Sequence, residues 1–104
     1  MTESKVVPFK SARPPSELSS EARKLWSEIL ADYEIDDAGG LAMLRQLCET
    51  LDRLRECQKA LKADGLTVKG YRGQPRPHPL LKTESECRRQ MLACYRALNL
   101  DPLE

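Results

Sequence analysis

Residues 41–61 read Leu-Ala-Met-Leu-Arg-Gln-Leu-Cys-Glu-Thr-Leu-Asp-Arg-Leu-Arg-Glu-Cys-Gln-Lys-Ala-Leu, and this stretch decides the fold. Leu44, Leu47, Leu51, Leu54 and Leu61 recur in steps of three, four and seven, with Gln58 interrupting the series. That spacing stacks them along an α-helix. Leu41, Met43, Cys48 and Cys57 widen the stripe beyond a narrow seam. Asp36 or Asp37 is a natural cap for its start, where Gly39-Gly40 weaken the first turn, and Asp64-Gly65 ends it. Such a helix carries leucines on more than one side and calls for more than one packing partner. A second copy of the chain could supply one of them, so these five leucines are candidate oligomer contacts as well as candidate core.

Upstream, Ser19 or Ser20 can cap a helix from about Glu21 to Tyr33, with Glu21 favourably placed in its first turn. Ala22, Leu25, Trp26, Ile29, Leu30 and Tyr33 share one face of it, anchored by Trp26. Residues 1–18, with Pro8, Pro14 and Pro15 and no apolar period, read as an extended, mobile arm.

Downstream, residues 66–78 change character. Leu66, Val68 and Tyr71 stand among Gly70, Gly73, Pro75 and Pro77, which predicts a short β-hairpin or ordered loop. Pro79 suits the first position of a third helix, since its missing N–H would be unpaired there anyway. Leu80, Leu81, Cys87, Met91, Cys94, Tyr95 and Leu98 give that helix an apolar face; Asn99 can close it and Pro102 prevents its resumption. The expectation is a mainly α fold of about three helices with a hairpin between the second and third. It forms one domain over residues 19–104.

The net charge of +1 hides a segregation. Residues 19–64 carry seven Lys/Arg against ten Asp/Glu, a net −3, and residues 65–104 carry seven against four, a net +3. An anionic partner is therefore plausible for the C-terminal part. Lys69, Arg72 and Arg76 share the predicted hairpin, followed by Lys82 and by Arg88, Arg89 and Arg96 on the third helix. Accessible positive charge on a protruding loop is what contact with nucleic-acid phosphates needs. Lys5, Lys10 and Arg13 make the N-terminal arm a rival location.

No chemistry of bond-making is legible. There is no phosphate-cradling glycine loop and no dinucleotide fingerprint. The four cysteines, Cys48, Cys57, Cys87 and Cys94, include no Cys-x-x-Cys and lie at least nine residues from the single His78, so no metal knuckle is formed. They read as small apolar residues in a reducing compartment. His78, between two prolines, reads as a cap of the third helix or a phosphate contact. No apolar run approaches the roughly 18 residues of a membrane span, and the N-terminus lacks a secretory pattern.

In chain order stand Leu25-Trp26, Asp36-Asp37, Leu61 through Asp64-Gly65-Leu66, Gly70 to Gly73, His78-Pro79, and Leu98-Asn99-Leu100-Asp101-Pro102. This succession, over roughly four-fifths of the chain, resembles the small terminase subunits of many siphophages and prophages. The resemblance implies a ring-forming homo-oligomer that binds double-stranded viral DNA and presents it to the large terminase subunit, which holds the ATPase and nuclease. It implies no catalytic residue, cofactor or metal in this chain, a place in the bacterial host cytoplasm, and an HNH endonuclease as a further partner at cohesive-end sites. Members often carry a longer basic N-terminal segment and an Arg shortly after the final Pro, where this chain reads Pro102-Leu103-Glu104.

Two other readings compete. In a small helix-turn-helix regulator, helix 21–33 and the long helix would form the DNA-binding pair. A recognition helix should begin with basic or amide side chains, whereas this one begins Asp-Asp-Ala-Gly-Gly. The other alternative is a helical adaptor that binds only protein.

Overall fold

A computed structural model describes residues 12–35 and 37–100. Its elements are α1 (Ser20–Asp32), α2 (Ala38–Asp64), β1 (Thr67–Lys69), β2 (Pro75–Pro77) and α3 (Leu80–Ala97). The predicted architecture of three helices and an intervening hairpin is the one observed.

Local chemistry sets the boundaries. Ser19 caps α1, its hydroxyl accepting from the Ala22 N–H at 3.1 Å. Asp37 caps α2 by accepting from Gly40 N–H at 2.7 Å; its alternative, Asp36, lies outside the described residues. Gly65, at φ 83, ends α2 and donates its N–H to Leu61 O at 2.8 Å. Pro79 is already helical, at φ −57 and ψ −28, one residue before α3 begins. Asn99, at φ 59, closes α3. Its N–H donates to Arg96 O at 3.1 Å, and the Leu100 N–H donates to Tyr95 O at 2.8 Å. Those two bonds form a Schellman cap, whose usual apolar contact is supplied by buried Leu100. Pro102 lies outside the described residues.

At 1.5 Å per residue, the 27 residues of α2 make a rod about 40 Å long. α1 runs back along its first half. The start of α1 is tied to the middle of α2 by the Ser19 N–H donating to Asp52 Oδ2 at 2.9 Å and by Arg55–Glu21 at 2.8 Å. α3 returns antiparallel along α2, with Cys87 of α3 and Cys57 of α2 both buried.

The main core gathers Leu18, Ala22, Trp26, Ile29, Leu30 and Ile35 with Leu44, Leu47, Cys48 and Leu51 of α2 and Cys94 and Leu100. Of the predicted α1 face, Tyr33 alone is exposed. Leu54, Cys57, Leu61 and Cys87 are buried outside that core, along the rest of the α2–α3 seam. This arrangement is long and thin. The radius of gyration is 17.8 Å, against about 13 Å for a compact domain of this size.

The segment before α1 packs on it rather than standing clear. Leu18 is buried, and the Trp26 Nε1–H donates to Ala12 O at 3.1 Å. The N-terminal arm of the sequence reading therefore overlaps, from Ala12 onward, with chain that lies against α1.

Candidate nucleic-acid interface

The hairpin is built to a fixed register. Thr67 faces Pro77, Val68 faces Arg76 and Lys69 faces Pro75. The Gly70 N–H donates to Gln74 O at 2.6 Å and the His78 N–H to Leu66 O at 2.9 Å. Hydrogen-bonded pairs therefore fall at 66/78, 68/76 and 70/74, and both prolines occupy the alternate positions, where a backbone N–H would point away from β1. The apex is a three-residue loop, Tyr71-Arg72-Gly73. Gly73, at φ 83, supplies the left-handed conformation that such a loop needs. Its N–H donates to Gly70 O at 2.9 Å, and the Gln74 side chain accepts from Arg72 N–H at 2.9 Å. A Cβ at Gly70 would lie 2.5 Å from Arg76 Cδ and 2.8 Å from Gln74 Nε2, so both exposed side chains would have to shift.

His78 fastens this hairpin to the helices. Its Nδ1 accepts from the Leu80 N–H at 3.1 Å, and its Nε2 lies 3.0 Å from Asp64 Oδ2 at the end of α2. It is the cap of α3, one of the two roles read from the sequence, and its ring is buried.

The predicted cations are distributed around this scaffold. Lys69 shares one face of the hairpin with Thr67, Pro75 and Pro77. Arg76 projects from the opposite face, its stem over Gly70. Arg72 is at the apex, and all three are exposed. Lys82 is exposed in the first turn of α3. A cation at that end works against the helix dipole, so helix stability gives no reason for it. Arg88 pairs with Glu84 at 3.3 Å; Arg89 and Arg96 are exposed further along α3. Arg13 is exposed near α1, and Lys5 and Lys10 lie outside the described residues.

Two arginines of α2 are fixed by carboxylates. On the α1–α2 side, Arg45 binds Glu17 at 3.1 Å and Glu49 at 3.0 Å, and Arg55 binds Glu21. The hydrogen bond from Arg55 holds the Glu21 carboxyl below its ordinary range, and the carboxylates raise both guanidinium groups. Among the described residues, no carboxylate lies within ion-pair distance of Lys69, Arg72, Arg76, Lys82 or Arg89. No acid occurs between Asp64 and Glu84.

The five candidate oligomer leucines lie inside a single chain. Leu44 and Leu47 have no exposed surface, and Leu51, Leu54 and Leu61 retain 6%, 4% and 6%. Side chains so covered have almost nothing left to offer a neighbour. Among the described residues the large exposed apolar side chains are Tyr33, Leu66, Tyr71 and Leu92. Tyr71, 95% exposed, was not singled out by its residue type. The available signal was its place inside Gly70-x-x-Gly73, since a tight apex cannot bury an aromatic ring.

A family model described as "Phage terminase, small subunit" matches residues 22–104. No curated protein and no solved structure matches the chain.

Proposed function

Since this chain belongs to the phage terminase small-subunit family, we propose that it binds double-stranded viral DNA and delivers it to the large terminase subunit to start genome packaging. It does so as a closed homo-oligomeric ring in the host cytoplasm. Small terminase subunits are generally non-catalytic, and in this reading ATP hydrolysis and DNA cleavage belong to partners: the large subunit and, at cohesive ends, an HNH endonuclease.

One observation carries the DNA contact. Lys69, Arg72, Arg76 and Lys82 stand exposed on and beside the hairpin, in a stretch with no acid between Asp64 and Glu84 and, among the described residues, no carboxylate within ion-pair distance of them. A ring repeats each such contact once per subunit, so a few cations per chain give useful avidity. The thin fold also leaves room for a neighbour, because the start of α1 is tied to Asp52 and Arg55 and α1 runs from there towards the beginning of α2. Since the leucines are spent inside the chain, that neighbour would meet the largely polar outer faces of α2 and α3.

The test is duplex binding measured across ionic strength. Affinity should fall steeply with salt, as condensed counterions are released. Arg72→Ala with Arg76→Ala should weaken binding to all sequences alike and flatten that dependence, with the oligomer intact. The rival site is tested by deleting residues 1–11, which leaves the Ala12 carbonyl on Trp26 in place, together with Arg13→Ala. Loss of binding in the deletion and normal binding in the hairpin variant would move the site to the arm.

A further inference from the structure

We propose that the hairpin enters the major groove of duplex DNA apex-first, with Tyr71 as a non-ionic contact at the groove floor and Lys69 and Arg76 on the two phosphate walls. This rests on the DNA-binding reading above and assigns it a mode of contact and a further residue.

Tyr71 has no part in holding the fold together. It is 95% exposed, in a loop whose shape is set by Gly73 and by the hydrogen bonds of Gly70 and Gln74. A tyrosine ring can remove about 150–250 Å² from water when it is covered, and here almost all of that remains available for binding. The loop also holds the ring at a defined place, so little backbone freedom remains to be lost on contact.

Dimensions match the major groove. From the 66/78 pair to the 70/74 pair the ribbon advances four residues, or roughly 14 Å at the usual antiparallel rise. The groove is about 8.5 Å deep and about 12 Å wide, and it admits a two-stranded ribbon; the minor groove, at about 6 Å, does not. An apex at the floor therefore leaves the base of the hairpin outside the duplex.

Charge placement agrees. A ribbon inside a groove has a phosphate strand on each side, and this one carries Lys69 on one face and Arg76 on the other. Arg72 stands beside Tyr71 at the apex and adds a third cation to the inserted end. A protein partner added edge-on would find β2 lacking both N–H groups that would face it, at Pro75 and Pro77. A partner laid on a face would meet Lys69 among Thr67, Pro75 and Pro77 on one side and Arg76 beside half-buried Val68 on the other, so each face presents a cation.

The experiment compares wild type, Tyr71→Ala, Tyr71→Phe and the Arg72→Ala/Arg76→Ala variant by anisotropy of a labelled duplex at several salt concentrations. Tyr71→Ala should weaken binding about ten-fold while leaving the slope of log affinity on log salt unchanged, because no phosphate contact is lost. Tyr71→Phe should bind as wild type, and the arginine variant should lose slope as well as affinity. Since Tyr71 is exposed, its variants should melt at the wild-type temperature. A benzophenone amino acid at position 71 should cross-link to the duplex.

If Tyr71→Ala binds as wild type and the arginine variant does not, the groove contact is wrong and the DNA-binding reading stands. If neither variant loses affinity, both fail at the hairpin. Cross-linking of position 71 to a second protein chain rather than to DNA would make the apex a protein contact and overturn the proposal.

Discussion

Cys48 has no exposed surface, and burial, reinforced by Asp52 and Glu49, pushes its thiol from an ordinary 9.0 up to about 12. Burial raises Cys87, Cys94 and the Tyr95 phenol as well. Each of these groups keeps its proton longer in the folded chain than in the unfolded one. Their effect on stability is therefore unchanged below about pH 9 and becomes unfavourable as pH rises from there towards 12. Urea denaturation midpoints should be flat through neutral pH and fall across that alkaline window, and Cys48→Ala should make the fall shallower. A midpoint that rises with alkali would contradict the burial of these thiols. The residue scale is also where the sequence was most readable. Gly65 and Asn99 end their helices through bonds made within a few residues of themselves, so residue type and order were enough, whereas the choice between Ser19 and Ser20 and between Asp36 and Asp37 stayed open in the sequence. His78 offered two roles, and only the positions of Leu80 and Asp64 around its ring decide for capping.

At the scale of elements, the first turn of α2 makes adjacent glycines opposite in kind. Nothing lies within 4 Å of a Cβ at Gly39, whereas one at Gly40 would meet Ile35 Cγ2 at 2.7 Å and Asp37 Oδ1 at 2.8 Å. Gly39→Ala should stabilise the chain by up to about 1 kcal/mol through helix propensity. Gly40→Ala should destabilise it in spite of the same propensity, because Ile35 is buried and the Asp37 cap must move. Thermal melts of the two single variants read both signs, and two shifts in the same direction would contradict this packing. Sequence periodicity marked which faces of α2 are apolar but not which chain covers them, since a period carries no information on the partner. That is why Leu44 and Leu47 could be read as core or as subunit contact until α1 and α3 were placed. The hairpin was legible from its glycines, but not the register that puts Lys69 and Arg76 on opposite faces. Nor could the free cations be told from the bound ones: Arg45 meets Glu17 and Arg55 meets Glu21 at separations of 28 and 34 residues.

At the scale of the whole molecule, an 11.8 kDa chain spreads its core along a rod of about 40 Å and ends in an exposed basic hairpin. Its net positive charge lies in the C-terminal part, where acids are fewest. Residues 65–104 are net +3, and among the described residues no carboxylate lies within ion-pair distance of their hairpin cations, while residues 19–64 are net −3 and fix Arg45 and Arg55 to carboxylates. This asymmetry suits a subunit that joins copies along its helices and offers one end to a polyanion. Native mass spectrometry of the wild-type protein at tens of micromolar, with and without a short duplex, tests that account most directly. The account predicts one homo-oligomeric mass without DNA, and the same assembly carrying duplex when DNA is added. A chain that stays at 11.8 kDa and leaves the duplex free would contradict it.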